Sequence, residues 1–420
     1  MRCLIAAVVL IVGACSAGDD AAPPTSGPQE PAPAATSAPQ TSDTPPSRDG
    51  TAAPNGLPTE PVTTTGPAAT SAPDPERAAW FVVWVTGRLP DGFADSLEAI
   101  PGVEAVSVVR VGNVHVVETR DSSGAVVDLT EPGFVIPVEL QAIDPDGHRG
   151  FVPPEVAVLL EALGPDQVIL GSSSAELRRL DAGSAIILEG GATLEVAAVV
   201  EDRWVGAAEM VTAAPGSDLL GTDRDRYAVV AFDGTRHELA ALAGGLTDLA
   251  TRVWGEQDVS VFRHADGVQP QVIIKQMFGE FSYRPSEGRQ VEIDPDWVER
   301  NIVTVSLPLI GNMRCHRLFT EILRGVMEEL EALGGEDIIT PDSNVGCWNP
   351  RFIAGRRDLS RHAWGGAADI NWGNELDAVR SPVAPALLEV MTAAGITSGH
   401  QWINPDPGHF EWIGAGRHVS

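Results

Sequence analysis

The sequence predicts an α+β protein in which two folded units stand behind an export signal and an unstructured spacer. Three observations carry that expectation. Residues 16 to 76 lack the apolar content of a fold, residues 77 to 266 are mostly short β-rich runs broken by glycine and aspartate, and residues 267 to 420 alternate amphipathic helices with short strands.

The chain opens with one cation at Arg2, an apolar run from Leu4 to Val12 and then Gly13-Ala14-Cys15, the layout of a secretory signal. The run is too short to span a bilayer. From Ser16 to about Glu76 the chain is almost entirely Ala, Pro, Ser, Thr, Gly and acidic residues, with Leu57 and Val62 as its only larger aliphatics. Such a segment cannot bury enough surface to offset its ordering entropy. Its prolines favour an extended spacer, reaching on the order of 190 Å at roughly 3 Å per residue. The remaining 340 or so residues, at roughly 150 per domain, argue for two folded units.

A net charge of −30 disfavours nucleic acid and anionic membrane surfaces as partners, because both need clustered basic residues. Lys275 is the only lysine. A serine wall peptidase needs Ser-x-x-Lys, and the residue three before Lys275 is Val272, so that chemistry is excluded. In an oxidising compartment Cys315 and Cys347 are expected to pair as a disulfide. Zinc ligation by these cysteines is the alternative, although neither belongs to a close-spaced pair.

Strands are expected at Trp80 to Val85, Val103 to Val109, Val114 to Val117, Val168 to Leu170, Ile186 to Leu188 and Leu194 to Val200. Helices are expected near Pro154 to Leu163 and Glu238 to Trp254, and Gly171-Ser-Ser-Ser174 reads as a turn. His115, His148, His237 and His264 lack metal-ligand spacing. The texture changes near Gly267, where a cluster of aromatics begins. Phe319, Ile322, Leu323, Val326, Leu330 and Leu333 then recur at helical spacing, closed by Gly334-Gly335. A further helix starts at Ser381-Pro382 and ends before Gly395.

The chemistry lies in Ser360-Arg-His-Ala-Trp-Gly-Gly-Ala-Ala-Asp369 and, some forty residues on, Asp406-Pro-Gly-His-Phe-Glu-Trp412. His362, Asp369 and His409 can supply three ligands to Zn²⁺ and leave a fourth position open, as a hydrolytic site needs. By spacing alone the same residues also fit three unrelated polar groups in loops. Gly365 to Ala368 are small enough for a tight turn before a buried strand at Asp369. If residues 406 to 412 are extended, His409 and Glu411 share one face, and Phe410 and Trp412 the other. Zinc lowers the pKa of water to about 7, but peptide hydrolysis also needs a carboxylate to move the proton. Asp406 is the first candidate for that base. Glu411 is the second, with orientation of a ligand histidine as its other role. Trp364, Trp402 and Trp412 are candidates for groove or core, and His400 for substrate contact; His316 and His418 receive no role.

Three resemblances extend this reading. Val12-Gly-Ala-Cys15 resembles the bacterial lipobox, which implies cleavage before Cys15, lipidation of that residue and anchorage to the outer face of the cell membrane. Residues 164 to 202, with Ile100 to Gly112, resemble the extracellular core domain of ABC-transporter permeases, and no chemistry carries over from them. Ser-x-His-x-x-Gly-x-Ala-x-Asp at 360 to 369 and Asp-x-x-His-Phe-Glu at 406 to 411 resemble the M15 family of zinc peptidases, D-alanyl-D-alanine carboxypeptidases and L-alanyl-D-glutamate endopeptidases. This last resemblance implies a small domain with an antiparallel sheet and flanking helices over residues 267 to 420. It implies zinc on His362, Asp369 and His409, Asp406 as base where many members carry glutamate, Ser360 beside the ligands and Arg351 on substrate carboxylate or developing oxyanion. The implied substrate is the peptidoglycan stem peptide. Membrane contact is expected through the lipid only, and a protein partner is the open expectation for residues 77 to 266. The rival function is a non-catalytic wall-binding or transporter-associated lipoprotein that keeps the peptidase fold.

Overall fold

The computed structural model describes residues 79–206, 208–213, 225–255, 269–339, 346–371, 384–400, 402–403 and 405–414. The signal, Cys15, the spacer, the boundary near 267, Ser381-Pro382, His264 and His418 lie outside the described residues. Residues 71–420 group as one unit.

The first half is a mixed α+β assembly on a large sheet. Its elements are β1 (Ala79–Val85), α1 (Phe93–Glu98), β2 (Val103–Arg120), β3 (Val126–Leu129), β4 (Ile136–Ile143), α2 (Pro145–His148), α3 (Pro154–Glu161), β5 (Gln167–Gly171), α4 (Ser172–Arg178), β6 (Ala185–Leu188), β7 (Thr193–Val200), β8 (Met210–Ala213), β9 (Asp225–Phe232), α5 (Arg236–Gly244) and β10 (Thr251–Gly255). The strand order is β10-β1-β9-β2-β4-β8-β5-β7-β6, with β3 on β2. Because β6 pairs back onto β2 through Val116 to Arg120, the strands β2-β4-β8-β5-β7-β6 close into a barrel around Val138, Leu140, Val168 and Leu170. The other strands form an open wing whose central strands are covered on both faces. In β1, Trp80, Val82 and Trp84 enter one core while Phe81, Val83 and Val85 enter another beneath α1 and α5. A strand buried on both faces has no polar alternation, hence its continuous apolar sequence.

Three sequence expectations are corrected here. The runs 103 to 109 and 114 to 117 are one 18-residue strand, since Gly112 and Asn113 keep pairing with β4. The helix expected to reach Trp254 stops at Gly244, and Thr251–Gly255 pairs with β1 as the wing's edge. Residues 172 to 174 begin α4 instead of forming a turn, with Asp202 accepting from the Ser173 amide at 2.8 Å and so closing the helix start.

The second half continues with α6 (Gln271–Phe278), β11 (Tyr283–Pro285), β12 (Val291–Ile293), α7 (Pro295–Asn301), β13 (Ile302–Leu307), β14 (Gly311–His316), α8 (Arg317–Ala332), β15 (Ala367–Asp369), α9 (Pro385–Ala393), β16 (Ile396–Gly399) and β17 (Asp406–Trp412). Its sheets are antiparallel: β11-β12, β13-β14 and β15-β17-β16. In α8, Phe319, Leu323, Val326 and Leu330 are buried at the expected spacing and Met327 joins them, whereas Leu333, expected on the same face, is the exposed C-cap, followed by left-handed Gly334.

The two halves share polar and apolar contacts. Buried Lys275 on α6 bonds Glu209 at 2.9 Å and pairs with Glu280 at 2.8 Å, while Arg178 of α4 reaches the same two carboxylates. Val135 bridges to Tyr283, Asn113 donates to Asp358 at 2.8 Å, and Val135 belongs to the second half's core.

Candidate metal centre

Two of the three expected ligands are placed by strand register, since Asp369 on β15 lies opposite His409 on β17. Residues opposed in this way hold their side chains within about 5 Å at the Cβ atoms. The third, His362, sits in a 3₁₀ turn over Arg361–Ala363. The turn fits because its neighbours lack side chains. A Cβ at Gly365, at φ 66°, would meet the His316 amide nitrogen at 2.6 Å, and one at Gly366 would strike the Phe278 ring at 2.5 Å.

His362, Asp369 and His409 are all buried and converge. Nε2 of His362 lies 3.1 Å from Oδ1 of Asp369 and 3.2 Å from Nδ1 of His409, and His409 Nδ1 lies 3.3 Å from the same Oδ1. The outer ring nitrogens are occupied: His362 Nδ1 faces the Cys347 carbonyl at 2.7 Å, and His409 Nε2 faces Glu411 at 3.5 Å. Each outer N–H donating outward leaves an inner lone pair turned on the Asp369 carboxylate. Two lone pairs and a carboxylate at that spacing repel unless a proton or cation lies among them.

The charges around His409 and Asp369 point the same way. Burial opposes charge on His409, yet its bonds to Asp369 and Glu411 and their charges carry its pKa to about 9. Burial likewise opposes charge on Asp369, and the two histidines nevertheless hold it well below the usual carboxylate range. The arrangement also fits a metal in shape. A tetrahedral ion with ligands at about 2.0 to 2.1 Å sets them about 3.3 to 3.4 Å apart, close to the three separations here. Oriented imidazoles backed by a carbonyl and a carboxylate are the usual support for such ligands.

The other expected residues fall around this cluster. Half-buried Arg351 brings Nη2 to 3.9 Å from Asp369 Oδ2, and its guanidinium also feels the charge of Asp406. Asp406 begins β17, three residues before His409, an odd offset that would put the two on opposite faces of a regular strand. The β16–β17 pairing breaks there, Ser398 opposing Phe410 while the next residue, Gly399, opposes Asp406, and such bulges re-aim side chains. Glu411 is buried on the His409 face, and Phe410 and Trp412 pack in the core on the other. Ser360 is buried, and its amide donates to the Arg351 carbonyl at 2.9 Å, tying the arginine's segment to the His362 turn. Cys315 and Cys347 form a disulfide with a Cα separation of 5.2 Å. Trp364 is a core residue against Phe281, whereas the Trp402 ring lies 5.1 Å from the His409 ring.

Sequence reasoning missed the Cys347 carbonyl, whose role as acceptor for His362 has no signature in residue type. It also missed His316, which accepts from Leu318 N–H as the N-cap of α8 and bonds the Phe278 carbonyl at 3.1 Å. A histidine just before an amphipathic run was the available signal.

No family model matches the chain, and no curated protein matches it. Among solved structures, the chain has weak and partial likeness to extracellular domains of ABC-type transporters. The periplasmic region of MacB from Actinobacillus actinomycetemcomitans aligns at 11% identity and TM-score 0.30, over 43% of this chain and 90% of that one. The extracellular domain of the noncanonic ABC-type transporter YknZ from Gram-positive bacteria aligns at 16% identity and TM-score 0.28, over 42% of this chain and 99% of that one.

Proposed function

We propose that this protein is an exported, lipid-anchored zinc peptidase that hydrolyses bonds involving D-amino acids in peptidoglycan stem peptides. The observation that carries the reading is the buried convergence of His362 Nε2, Asp369 Oδ1 and His409 Nδ1, whose separations and outward hydrogen bonds suit a divalent cation. Bound there, zinc supplies Lewis acidity toward water and the scissile carbonyl. Asp406 takes the proton of the attacking water and returns it to the leaving amine. Arg351 offers its guanidinium to the developing oxyanion or to a substrate carboxylate. Glu411 holds the His409 ring by its outer nitrogen. Among the described residues no helix is long and apolar enough to cross a membrane, and in this proposal attachment comes from lipid on Cys15.

The test is metal content and mass-spectrometric digestion of peptidoglycan by the full-length protein, with Asp406→Ala and His409→Ala alongside. We expect one zinc per chain and release of D-alanine or cleaved stem peptide. Asp406→Ala should keep zinc and lose about 10²- to 10⁴-fold in turnover, while His409→Ala should lose both. A metal-free, inactive wild type would replace this reading with the wall-binding or transporter-associated one.

A further inference from the structure

The segment between β16 and β17 touches two places at once. Trp402 folds back so that its amide donates to the Gly399 carbonyl at 3.1 Å and its ring lies 5.1 Å from that of His409, tilted by 47°. This return is possible only over glycine, because a Cβ at Gly399 would meet the Asp406 carbonyl oxygen at 2.6 Å and the Trp402 ring at 3.2 Å. The next residue, Ile403, packs against a core of the first half that contains Trp80, Val82, Trp84, Ile169, Val205 and Tyr227. One side chain therefore faces a ligand of the metal cluster and its neighbour is seated on the sheet assembly. The segment leading into the cluster is tied in a comparable way, with Asp358, four residues before His362, accepting from Asn113 of β2.

We propose that the sheet assembly of residues 79–255 sets one wall of the metal site, with Ile403 as the positioning residue that holds Trp402 against His409 and thereby places the substrate. This rests on the peptidase reading for its substrate but not for its geometry. Ile403 is partly buried against that core, and an apolar side chain packed in this way is restricted in position. A tryptophan one residue away then has little freedom to leave the His409 ring. The flat apolar face it presents beside the ligands suits the short aliphatic side chain of an alanyl residue. Among the described residues, the core on which Ile403 packs is drawn from the first half.

Two measurements on full-length protein test this. In metal-free, ring-labelled protein the His409 imidazole signal, assigned with His409→Gln, senses the Trp402 ring current. Ile403→Ser should shift it in the same direction as Trp402→Ala, and Ile403→Leu should restore it. In the zinc-loaded protein, Trp402→Ala and Ile403→Ser should each raise KM on stem peptide, by about tenfold and threefold, with kcat changed less than about twofold. In the double variant Ile403→Ser should add nothing to Trp402→Ala, because the first acts through the second. Additive effects, or a His409 signal indifferent to Ile403→Ser, would overturn the proposal. Wild-type protein without zinc uptake or hydrolysis, but with the His409 signal moved as described, would sink the peptidase reading and support the positioning.

Discussion

At the scale of single residues, the site depends on groups whose charges are balanced against burial, and Arg351 is the informative case. Burial works against its guanidinium, while the charges of Asp369 and Asp406 favour it. It stands at the edge of the cluster, 3.9 Å from the Asp369 carboxylate and 3.4 Å from the Asn349 carbonyl, too far for a strong pair, and in the proposed function it turns to an anionic substrate group. Arg351→Ala should leave zinc stoichiometry at one and lower kcat/KM by about 10²- to 10³-fold. Arg351→Lys should recover only part of that, because an ammonium cannot make the planar two-pronged contact; full recovery would reduce the arginine to a point charge. His362, Asp369 and His409 were legible in the sequence because each lies in a short, dense motif whose spacing is nearly preserved in space. Trp402 was visible only as one of three tryptophans, since nothing in the sequence says which packs in the core and which faces the ligands. Asn113 with Asp358 was not legible at all, because their pairing depends on how β2 crosses the other half.

At the scale of elements, helix α8 and the strands before and after it carry the support of the ligands. His316 ends β14 and caps α8, its Nδ1 accepting from Leu318 N–H, so protonation there would set a proton against an amide. Burial lowers its pKa to about 4. Because the folded value lies below the unfolded one, the stability it contributes is full above about pH 6.5 and is lost as the pH falls toward 4. The advantage of wild type over His316→Asn should therefore shrink by about 2 to 3 kcal/mol across that window, measured by denaturant unfolding at a series of pH values. A constant difference would mean that His316 stays accessible to protons. The Cys315–Cys347 disulfide closes a loop with a sequence separation of 32. Reduction should cost about 3 to 4 kcal/mol by loop entropy, and it should weaken zinc binding, because Cys347 supplies the carbonyl that orients His362. A reduced protein that unfolds earlier but holds zinc equally would separate the two roles. Element identity was largely legible where β-branched runs or helical spacing were long. It failed at 238 to 254 because the apolar spacing past Gly244 fits a helix as well as a strand, and the two glycines there were the overlooked stop.

At the scale of the whole molecule, the question is whether the halves are stable apart, and the buried charges at their contact answer it. Lys275, the chain's only lysine, is 1% exposed and Glu209 is fully buried. Arg178, Gln271 and Glu280 complete a network in which two cations face two carboxylates. Removing one member strands the others in a poorly solvated place, which typically costs about 3 to 5 kcal/mol. Cutting the chain near 267 would expose the network to water on both sides and remove Val135 from the second core. Composition and texture suggest a boundary near 267, because both shift there, but they could not show how firmly the two halves are joined; a lone lysine reads as an accident of coding until its partners are seen. We therefore expect one cooperative thermal transition for the full chain. Lys275→Met should speed amide exchange in β4 and in α8 together, and Glu280→Gln added to it should restore part of the loss by relieving the unmatched negative charge. Exchange that accelerates only in α6 to α8 would show that the first half is stable by itself, leaving the Ile403 and Asn113–Asp358 contacts as its link to the His362, Asp369 and His409 cluster.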